Sequence, residues 1–401
     1  MINLRVVLTT AFLRALGTGA TGVLVGLYLA RLGESPGTSG LTIGLGLGGA
    51  ATASFLATIA ADRFGRRRFL VVLALFAALG GIAFALVSHT MALMLAAFIG
   101  MVNGMGRDRG AALVIEQTVL PTVTDDAGRT RVFAWYNLLQ DVGHALGSLL
   151  AGAPALLRAM FHLGELEAMR IVLAAAAGLT LVALVFYTRL TAVVEAPPGA
   201  ARVRVSPETK RTLWRLCSLF SLDALGGGFL TSALVAFFFY KRFGVDESVL
   251  GPLFFGARVL NALSHLGAAW LAKRIGLVNT MVFTHMPSSL LLLTVAIAPS
   301  FPVAAVLFLL REGLVEMDVP TRQSYVMAVV KPEERTVASG VTQIVRMAMW
   351  AIAPPFAGLL MQGLSMGAPL VIASAMKLSY DVLLWRAFRH VKPPEERAAT
   401  S

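Results

Sequence analysis

Long apolar runs alternate with short polar loops along almost the whole chain. Twelve of these runs are long enough, at about 20 mostly apolar residues, to cross a membrane as helices. Prolines and glycines inside several runs are compatible with spanning helices, because neighbouring helices can satisfy the freed backbone groups. The pattern predicts an all-α integral membrane protein with twelve transmembrane helices. The predicted spans are residues 6–30, 39–60, 69–88, 91–118, 131–154, 168–189, 213–240, 249–272, 277–298, 302–329, 336–361 and 367–388.

The longest polar stretch divides the predicted spans into two groups of six. It contains EAPPGAARVRVSPETKR, residues 195–211, whose prolines, glycine and charges are typical of a linker. We therefore predict two pseudo-symmetric six-helix bundles. The N-terminal bundle covers residues 1–190, a cytoplasmic linker covers 191–212, and the C-terminal bundle covers 213–401 with a short cytoplasmic tail.

Composition supports the membrane assignment. With 57% hydrophobic and only 14% charged residues, the 401-residue chain has too much apolar surface for a soluble core. The net charge of +12 does not indicate a nucleic-acid partner, because the basic residues lie in short loops between apolar runs. The chain contains one cysteine, Cys217, so an internal disulfide is excluded.

The distribution of basic residues predicts the orientation. With both termini in the cytoplasm, seventeen Lys and Arg residues fall in cytoplasmic loops and four fall in outside loops. Cytoplasmic loops carry the excess of Lys and Arg in membrane proteins. We therefore expect a multi-pass protein of the inner (cytoplasmic) cell membrane, present as a monomer in the lipid bilayer, with both termini cytoplasmic.

The two halves share short matching segments in the same order. RALGTG at residues 14–19 matches DALGGG at 223–228, with four identities in six, and DRFG at 62–65 matches KRIG at 273–276. Later matches include Gly152 with Gly358, at a slightly smaller offset, as loop insertions produce. Internal repetition of this kind predicts two parallel repeats of six spans.

The loop between spans two and three carries a recognisable motif. ADRFGRRRF, residues 61–69, resembles the signature loop of the major facilitator superfamily, although Thr58 stands where the family usually has glycine. GHALGSLLAG, residues 143–152, resembles a degraded copy of the fifth-span motif of the drug/proton antiporter branch, with Ser148 in place of proline. The resemblance covers nearly the whole chain. It implies two bundles around a central cavity that opens alternately to either side of the membrane.

The resemblance also implies a function. We expect a secondary active transporter of a small molecule, powered by a proton gradient and requiring no cofactor. The degraded antiporter motif favours efflux of drug-like, amphipathic or anionic compounds. Proton-coupled uptake of an organic anion and a lipid-type flippase on the same fold are the alternatives. The sequence contains no nucleotide-binding loop or serine-hydrolase motif, so an enzyme is not expected.

The resemblance further implies a gate at the cytoplasmic end. In this family, an acidic residue at the end of span four commonly joins the signature loop in a charge network. We assign Glu116 to this role. The predicted gating residues are Asp62, Arg63, Gly65, Arg66, Arg67, Glu116 and Arg129.

Charged residues inside the predicted spans are costly in a bilayer, so they are candidate functional residues. Arg14 and Asp223 occupy matching positions in the first span of each half. They are either substrate and proton sites or an ion pair that holds one conformation closed. Guanidinium groups suit carboxylate and phosphate, which favours an anionic or zwitterionic substrate. The substrate-cavity candidates are Arg14, Asp223, Arg258, Asn261, Arg311 and Arg346.

Acidic and histidine side chains in the spans are candidates for proton coupling. If span four is a continuous helix, Arg109 and Glu116 share a face and Asp108 lies near the middle, where burial favours a protonated carboxyl group. In span five, Asp141 and His144 lie on one polar face. The proton-coupling candidates are Asp108, Asp141, His144, Glu316 and Asp318.

Spans ten and twelve also carry charges of both signs. In span ten, Arg311, Asp318 and Arg322 fall on one helical stripe at spacings of seven and four. In span twelve, Lys377 and Asp381 are four apart, and we expect them to neutralise one another. Because the carboxylates and histidines are interleaved with arginines, which repel cations, we expect no metal site.

Overall fold

The computed structural model of the chain describes residues 2–124, 129–195, 205–331 and 334–388. Every regular element within these ranges is a helix, and short 3₁₀ turns follow α5 and α8. The α-helices are α1 (Ile2–Arg31), α2 (Pro36–Phe64), α3 (Arg66–Leu86), α4 (Thr90–Ile99), α5 (Ala111–Val119), α6 (Arg129–Leu150), α7 (Ala153–Phe161), α8 (Glu165–Tyr187), α9 (Pro207–Gly228), α10 (Ser232–Phe243), α11 (Glu247–Ile275), α12 (Leu277–Ile297), α13 (Phe301–Val315), α14 (Asp318–Val329), α15 (Arg335–Gly363) and α16 (Ala368–Phe388).

The prediction of an all-α membrane protein is confirmed. Within the described ranges, ten helical segments are long and apolar enough to cross a membrane. Two of them join α6 with α7 and α9 with α10. The predicted fourth and tenth spans differ from the expectation of continuous helices. Residues 100–110 separate α4 from α5, and Glu316 and Met317 separate α13 from α14.

Glycines and a polar side chain explain the break in span four. Gly106 has a φ of +69°, a conformation that other residues rarely adopt. The Asn103 side chain donates to the carbonyl of Arg107 at 2.7 Å and accepts from the N–H of Met105 at 2.8 Å, replacing helical hydrogen bonds. The prediction that Arg109 and Glu116 share a helical face is therefore wrong, because α5 begins only at Ala111.

The chain forms two compact units. Unit 1 contains residues Met1–Gly199, Leu230–Phe255 and Ala351–Met366. Unit 2 contains Ala200–Phe229, Gly256–Trp350 and Gly367–Ser401. The first boundary falls inside the predicted linker, but two segments of the second half belong to unit 1.

Close packing inside unit 1 depends on glycines. A Cβ atom on Gly147 of α6 would lie 2.1 Å from the carbonyl oxygen of Leu16, and one on Gly19 of α1 would lie 2.4 Å from the carbonyl of His144. No side chain fits at these distances, so α1 and α6 touch backbone to backbone. The glycines of the stretch that resembles an antiporter motif therefore have a packing role.

The end of α1 at Arg31 is covered by second-half segments of unit 1. A Cβ atom on Gly26 would lie 1.9 Å from the carbonyl oxygen of Ala233 in α10, and one on Gly358 of α15 would lie 2.2 Å from that of Pro36. The opposite end of α1 lies near the linker side, where the Asn3 amide donates to Thr191 Oγ1 at 2.8 Å. Within unit 1, segments of the two sequence halves thus contact each other at the Arg31 end of α1.

Candidate functional site

A buried charge cluster in unit 1 surrounds Arg14. Its guanidinium contacts two carboxylates: Nε lies 2.9 Å from Asp108 Oδ2, and Nη2 lies 2.8 Å from Glu116 Oε2. The third guanidinium nitrogen, Nη1, contacts both Glu116 and the hydroxyl of Tyr187. We call Arg14, Asp108, Glu116 and the hydroxyl residues that contact Glu116 the Arg14 cluster. One cation is therefore shared by two carboxylates.

The two carboxylates of the Arg14 cluster have unequal surroundings. Glu116 is fully buried, and besides Arg14 it accepts hydrogen bonds at 2.7–2.8 Å from the hydroxyls of Thr10, Tyr136 and Tyr187. Asp108 accepts from Arg14 Nε and from the backbone N–H of Gly110 at 3.1 Å. Five donor contacts therefore converge on Glu116, whereas Asp108 accepts from two donors.

Asp108 and Arg14 also line a cavity inside unit 1. The cavity has a volume of about 140 Å³ and lies between α1, α3, α8 and the break in span four. Thr18, Thr21 and Asn103 add polar groups near the charged pair, whereas α3 and α8 contribute mostly alanine, glycine, leucine and phenylalanine. The Arg14–Asp108 ion pair is therefore positioned to meet a small molecule with one charged or polar end.

His144 supports the break in span four. Its Nε2 accepts a hydrogen bond from the backbone N–H of Asp108 at 2.7 Å, so that nitrogen carries no proton in this arrangement. Protonation of His144 would replace this bond with two opposed donors. The side chain is buried, and its position beside Asp108 keeps it a proton-coupling candidate. Asp141 is half-buried on α6.

A second buried charge cluster, in unit 2, has the opposite arrangement around Asp223. Asp223 Oδ1 lies 2.8 Å from Lys377 Nζ, and Oδ2 lies 2.9 Å from Arg346 Nη1. Arg322 Nη1 lies 3.7 Å from the same Oδ2 and pairs with Asp318. One carboxylate is thus surrounded by three cations. We define the Asp223 cluster as Asp223, His285, Asp318, Arg322, Arg346, Lys377 and Asp381.

The prediction that Lys377 and Asp381 neutralise one another is wrong. Lys377 extends to Asp223, while Asp381 accepts from His285 Nδ1 at 2.9 and 3.0 Å. The i,i+4 spacing allowed the predicted pair, but both side chains are buried and find stronger partners on other helices. The twelfth predicted span therefore contributes directly to the charge cluster of unit 2.

The predicted stripe of span ten divides into separate groups. Arg322 and Asp318 form the expected pair within α14. Arg311, on α13, instead pairs with its neighbour Glu312, whose carboxylate also accepts from the amide of Asn261 at 2.9 Å. The break at Glu316 and Met317 interrupts the continuous stripe that the sequence suggested. Arg258, on α11, and Glu316 are half-buried.

The signature loop forms a tight turn outside the Arg14 cluster. Gly65 has a φ of +101° and joins α2 to α3, and Asp62 Oδ1 accepts from Arg66 Nε at 2.8 Å. The Glu195 carboxylate accepts from the N–H groups of Arg66 and Arg67, at the positive end of the α3 dipole. Arg63 and Arg67 are exposed.

The described contacts of Glu116 are with the Arg14 cluster, not with Asp62 or Arg63. The side chain of Arg129 lies outside the described residues. The gating role of the signature loop stays a prediction.

A third group of buried charged residues lies at the Arg31 end of unit 1. Glu247, at the start of α11, is fully buried and lies between two arginines, Arg31 and Arg158. Arg31 also pairs with Glu165, and its guanidinium lies 5.3 Å from the centre of the Tyr240 ring. These contacts join helices of the first half to the α10–α11 segment.

Sequence reasoning missed several of these partners. Tyr136, Tyr187 and His285 contact charged candidates, and Glu247 contacts Arg31 and Arg158, yet none of the four was singled out. His285 could have been noticed, since it lies in the polar stretch THMPSS inside an otherwise apolar span. The two tyrosines carry no such local signal, because their role depends on a distant glutamate.

Comparison with known proteins gives the family context. The family model described as Major Facilitator Superfamily matches residues 7–354, and a second match covers residues 216–401. An uncharacterized membrane protein of Saccharomyces cerevisiae, YJR124C, is 24% identical over 416 residues, covering 95% of this chain and 93% of that protein.

Solved structures share the fold. The nucleoside transporter NupG superimposes with a TM-score of 0.76 at 15% identity, over 97% of this chain and 100% of that chain. The human organic anion transporter MFSD10 (TETRAN) has a TM-score of 0.62 at 18% identity, covering 96% and 99% of the two chains. A D-xylose-proton symporter has a TM-score of 0.73 at 14% identity, covering 96% and 98%.

Proposed function

The chain belongs to the major facilitator superfamily, and on that premise we propose that it is a proton-coupled secondary active transporter of a small organic anion. The observation that carries the proposal is the unequal sharing of Arg14 between Asp108 and Glu116 beside a cavity. Glu116 holds the arginine in place, whereas Asp108 can exchange with another anion.

The chemistry of this exchange couples a proton to the substrate. A proton that binds Asp108 removes its negative charge and weakens its ion pair with Arg14 Nε. Arg14 stays anchored by Glu116, so its Nε becomes available to an anionic group in the cavity. A permanently charged guanidinium with fixed donor directions suits a carboxylate or phosphate. Proton and anion therefore bind together, and we propose that they move in the same direction.

The fold relatives are compatible with this proposal. One of them is named as an organic anion transporter and another as a proton symporter. Identity to both is low, so the proposal rests on the Arg14 cluster, and these names add only that the fold can perform such transport. We propose the inner cell membrane as the location, with both termini in the cytoplasm, because the loop arginines around residues 63–68 would then be cytoplasmic.

Proton-exchanging efflux of drug-like or amphipathic molecules is the second candidate function. The glycine-rich stretch of α6 favours it through its resemblance to an antiporter motif, although close packing against α1 also accounts for Gly143 and Gly147. In this case the substrate would be cationic or neutral and would compete with the proton at Asp108. The two candidates thus differ in the sign of the coupling between proton and substrate.

Thermal stability of the purified protein distinguishes the candidates. We would measure the unfolding midpoint at pH 5.5 and pH 8 with a panel of carboxylates, such as lactate, benzoate and succinate, and with cationic drugs. Anion transport predicts stabilisation by one or more carboxylates that is stronger at pH 5.5. Stabilisation by cationic drugs that is stronger at pH 8 would instead support efflux.

Two variants connect the screen to the site. Asp108→Asn mimics the protonated carboxyl group, so carboxylate stabilisation at pH 8 should rise toward its value at pH 5.5. Arg14→Lys keeps a charge but loses the fixed donor directions, and should weaken carboxylate binding about tenfold or more. Glu167→Gln, at an exposed position of α8, is the matched control. Unchanged carboxylate binding in Arg14→Lys would contradict the proposed site.

The signature-loop gate has its own test. We propose that the Asp62–Arg66 pair and the Glu195 contacts hold the turn between α2 and α3 during cycling. Asp62→Asn should leave the unfolding midpoint nearly unchanged, because Asp62 is largely exposed, and should slow transport. Normal transport by this variant would remove Asp62 from the gate.

A further inference from the structure

His285 lies between charged groups of unit 2. Its imidazole is buried between two groups of α16: Nδ1 lies 2.9 Å from Asp381 Oδ1, and Nε2 lies 3.3 Å from Lys377 Nζ. An ionised carboxylate only accepts hydrogen bonds and an ammonium group only donates them. Nδ1 is therefore the protonated nitrogen, and Nε2 holds the lone pair that can accept a further proton.

The charges around His285 balance when its imidazole is neutral. In the Asp223 cluster, three carboxylates (Asp223, Asp318 and Asp381) oppose three cations (Arg322, Arg346 and Lys377). The groups that face His285 or adjoin this cluster are Lys377, Tyr380 and Asp381 of α16, Asp223 of α9, Asp318 and Arg322 of α14, Glu316 before α14, and Arg346 of α15. A proton on His285 therefore adds one positive charge to a balanced set.

A carboxylate that could accept a hydrogen bond from a protonated Nε2 already lies nearby. Asp223 Oδ1 lies 3.7 Å from His285 Nε2. Protonation would turn the Lys377 contact from a hydrogen bond into a repulsion between two cations. Lys377 would then be held by Asp223 alone, and a small movement would bring Nε2–H to the same carboxylate. Proton binding thus rearranges the link between α12, α16 and α9.

Two buried hydroxyl groups near His285 point to a polar ligand or water at this place. Tyr380, whose ring packs edge-on to the imidazole at 5.9 Å, has a hydroxyl without a hydrogen-bond partner in the described ranges. Ser289, one helical turn beyond His285, likewise has a buried hydroxyl without a described partner. Buried hydroxyls in native proteins are almost always satisfied, by water if not by protein.

We propose that His285 is a proton-binding site of unit 2, separate from Asp108, and that its protonation gives the Asp223 cluster a net positive charge that favours an anionic substrate. The proton adds to the lone pair of Nε2, and only the hydrogen bond from Lys377 is lost. The role in transport rests on the proposed function, whereas proton binding itself does not.

Histidine NMR of the full-length protein tests the proposal directly. The chain has six histidines, so ¹³Cε1 labelling in lipid nanodiscs gives a small set of resonances that can be followed from pH 5 to pH 9. His285→Asn assigns the resonance, because asparagine can still donate to Asp381 but cannot titrate. His162→Asn is the matched control at an exposed position with a φ of +54°, which asparagine tolerates.

The expected result is a resonance that is lost in His285→Asn, kept in His162→Asn, and titrates within this range. A His285 resonance that stays in one form from pH 5 to pH 9 would overturn the proposal. Tyr380→Phe provides an assignment if His285→Asn does not fold, since it keeps the histidine and changes only a group in contact with its ring.

A stability measurement separates this proposal from the proposed function. Between pH 8 and pH 5.5, the change in unfolding midpoint should differ between wild type and His285→Asn by about 2–4 °C, whereas His162→Asn should follow wild type. Equal changes in all three proteins would count against His285. If no carboxylate stabilises the protein at any pH, the proposed anion transport fails while the titration of His285 can still be observed.

Discussion

The Arg14 and Asp223 clusters occupy matching first helices of the two sequence halves but have opposite charge arrangements. In unit 1, one arginine is shared by two carboxylates, and three hydroxyl groups complete the shell of Glu116. In unit 2, one carboxylate is shared by three cations. The repeat therefore conserves the place of a buried charge and not its sign. The group that we propose as a proton site is Asp108 in the first cluster and His285 in the second.

In both clusters, a residue that holds the cluster together can be distinguished from a residue with fewer contacts. Glu116 and Asp223 are the central anions, each with several donors or cations in contact. Asp108 and His285 each have only two or three contacts and lie at the edge of their cluster. Removal of an anchor should therefore destabilise the fold, and removal of an edge group should change function.

Removal of Glu116 should have the largest effect on stability. Glu116→Ala leaves Arg14 with Asp108 alone and leaves the Tyr136 and Tyr187 hydroxyls without their common acceptor. Loss of one partner from a buried ion pair costs about 3–5 kcal/mol. We expect a large fall in the unfolding midpoint or in folded yield, measured by fluorescence-detected size exclusion with heating. Asp108→Ala should cost clearly less. Equal losses would contradict the division between anchor and edge.

Removal of Asp223 should be nearly as damaging and should be partly repaired by removing a cation. Asp223→Asn leaves Arg346, Arg322 and Lys377 close together without their shared carboxylate, at a cost of about 3 kcal/mol. Asp223→Asn combined with Lys377→Met restores charge balance and should recover at least about 1 kcal/mol. A double variant that is less stable than Asp223→Asn alone would show that the cluster is not held by charge balance.

Glu247 offers a smaller version of the same comparison, with one carboxylate between two arginines. Arg158→Ala should cost about 1–2 kcal/mol, because Arg31 still contacts the buried Glu247 and Arg158 is partly exposed. Asp246→Asn is the control, since its pair with Arg158 is longer, at 3.5 Å, and more exposed. The unfolding midpoints of Arg158→Ala and Asp246→Asn, each compared with wild type, measure the two losses of stability. A loss in Asp246→Asn as large as in Arg158→Ala would show that burial of the carboxylate does not determine the cost.

Glu334 should have the smallest effect, and it should depend on pH. Hydrogen bonds from Thr209 and from the Ser206 N–H lower the pKa of Glu334 below its ordinary value of 4.5. A lowered folded-state pKa stabilises the protein above about pH 4.5, and this contribution is lost as pH falls through the folded-state value. Glu334→Gln should therefore lower the unfolding midpoint slightly at pH 7, and the difference from wild type should shrink as pH falls below about 4.5. A difference that stays constant as pH falls would contradict this origin.

The fold could be predicted from the sequence because hydropathy alone determines where a chain can cross a bilayer. The breaks in the predicted fourth and tenth spans could not be predicted in this way, since they depend on contacts with other helices. Asn103 forms the turn in span four with its own side chain, but the turn is also supported by His144, 36 residues away from Asp108. The i,i+7 spacing of Arg109 and Glu116 contains no information about a partner on another helix, such as His144.

The candidate residues were found more reliably than their partners. A charge inside an apolar run is visible in the sequence, and Arg14, Asp108, Asp223 and Arg346 all lie in clusters. Which charges meet depends on helix rotation and depth, as Lys377 illustrates by contacting Asp223 rather than Asp381. Tyrosines and a histidine complete these clusters, and their side chains are common enough in membrane helices to pass unnoticed.

The most direct test of the central claim is a measurement of proton movement with the anion. Wild-type protein would be reconstituted into liposomes that contain a pH-sensitive dye, and the carboxylate that stabilises it best would be added outside. Joint binding at Arg14 and Asp108 predicts that the lumen becomes more acidic, and that Asp108→Asn reduces the number of protons moved per carboxylate. Alkalinisation of the lumen, or an unchanged ratio of protons to carboxylate in Asp108→Asn, would contradict the account.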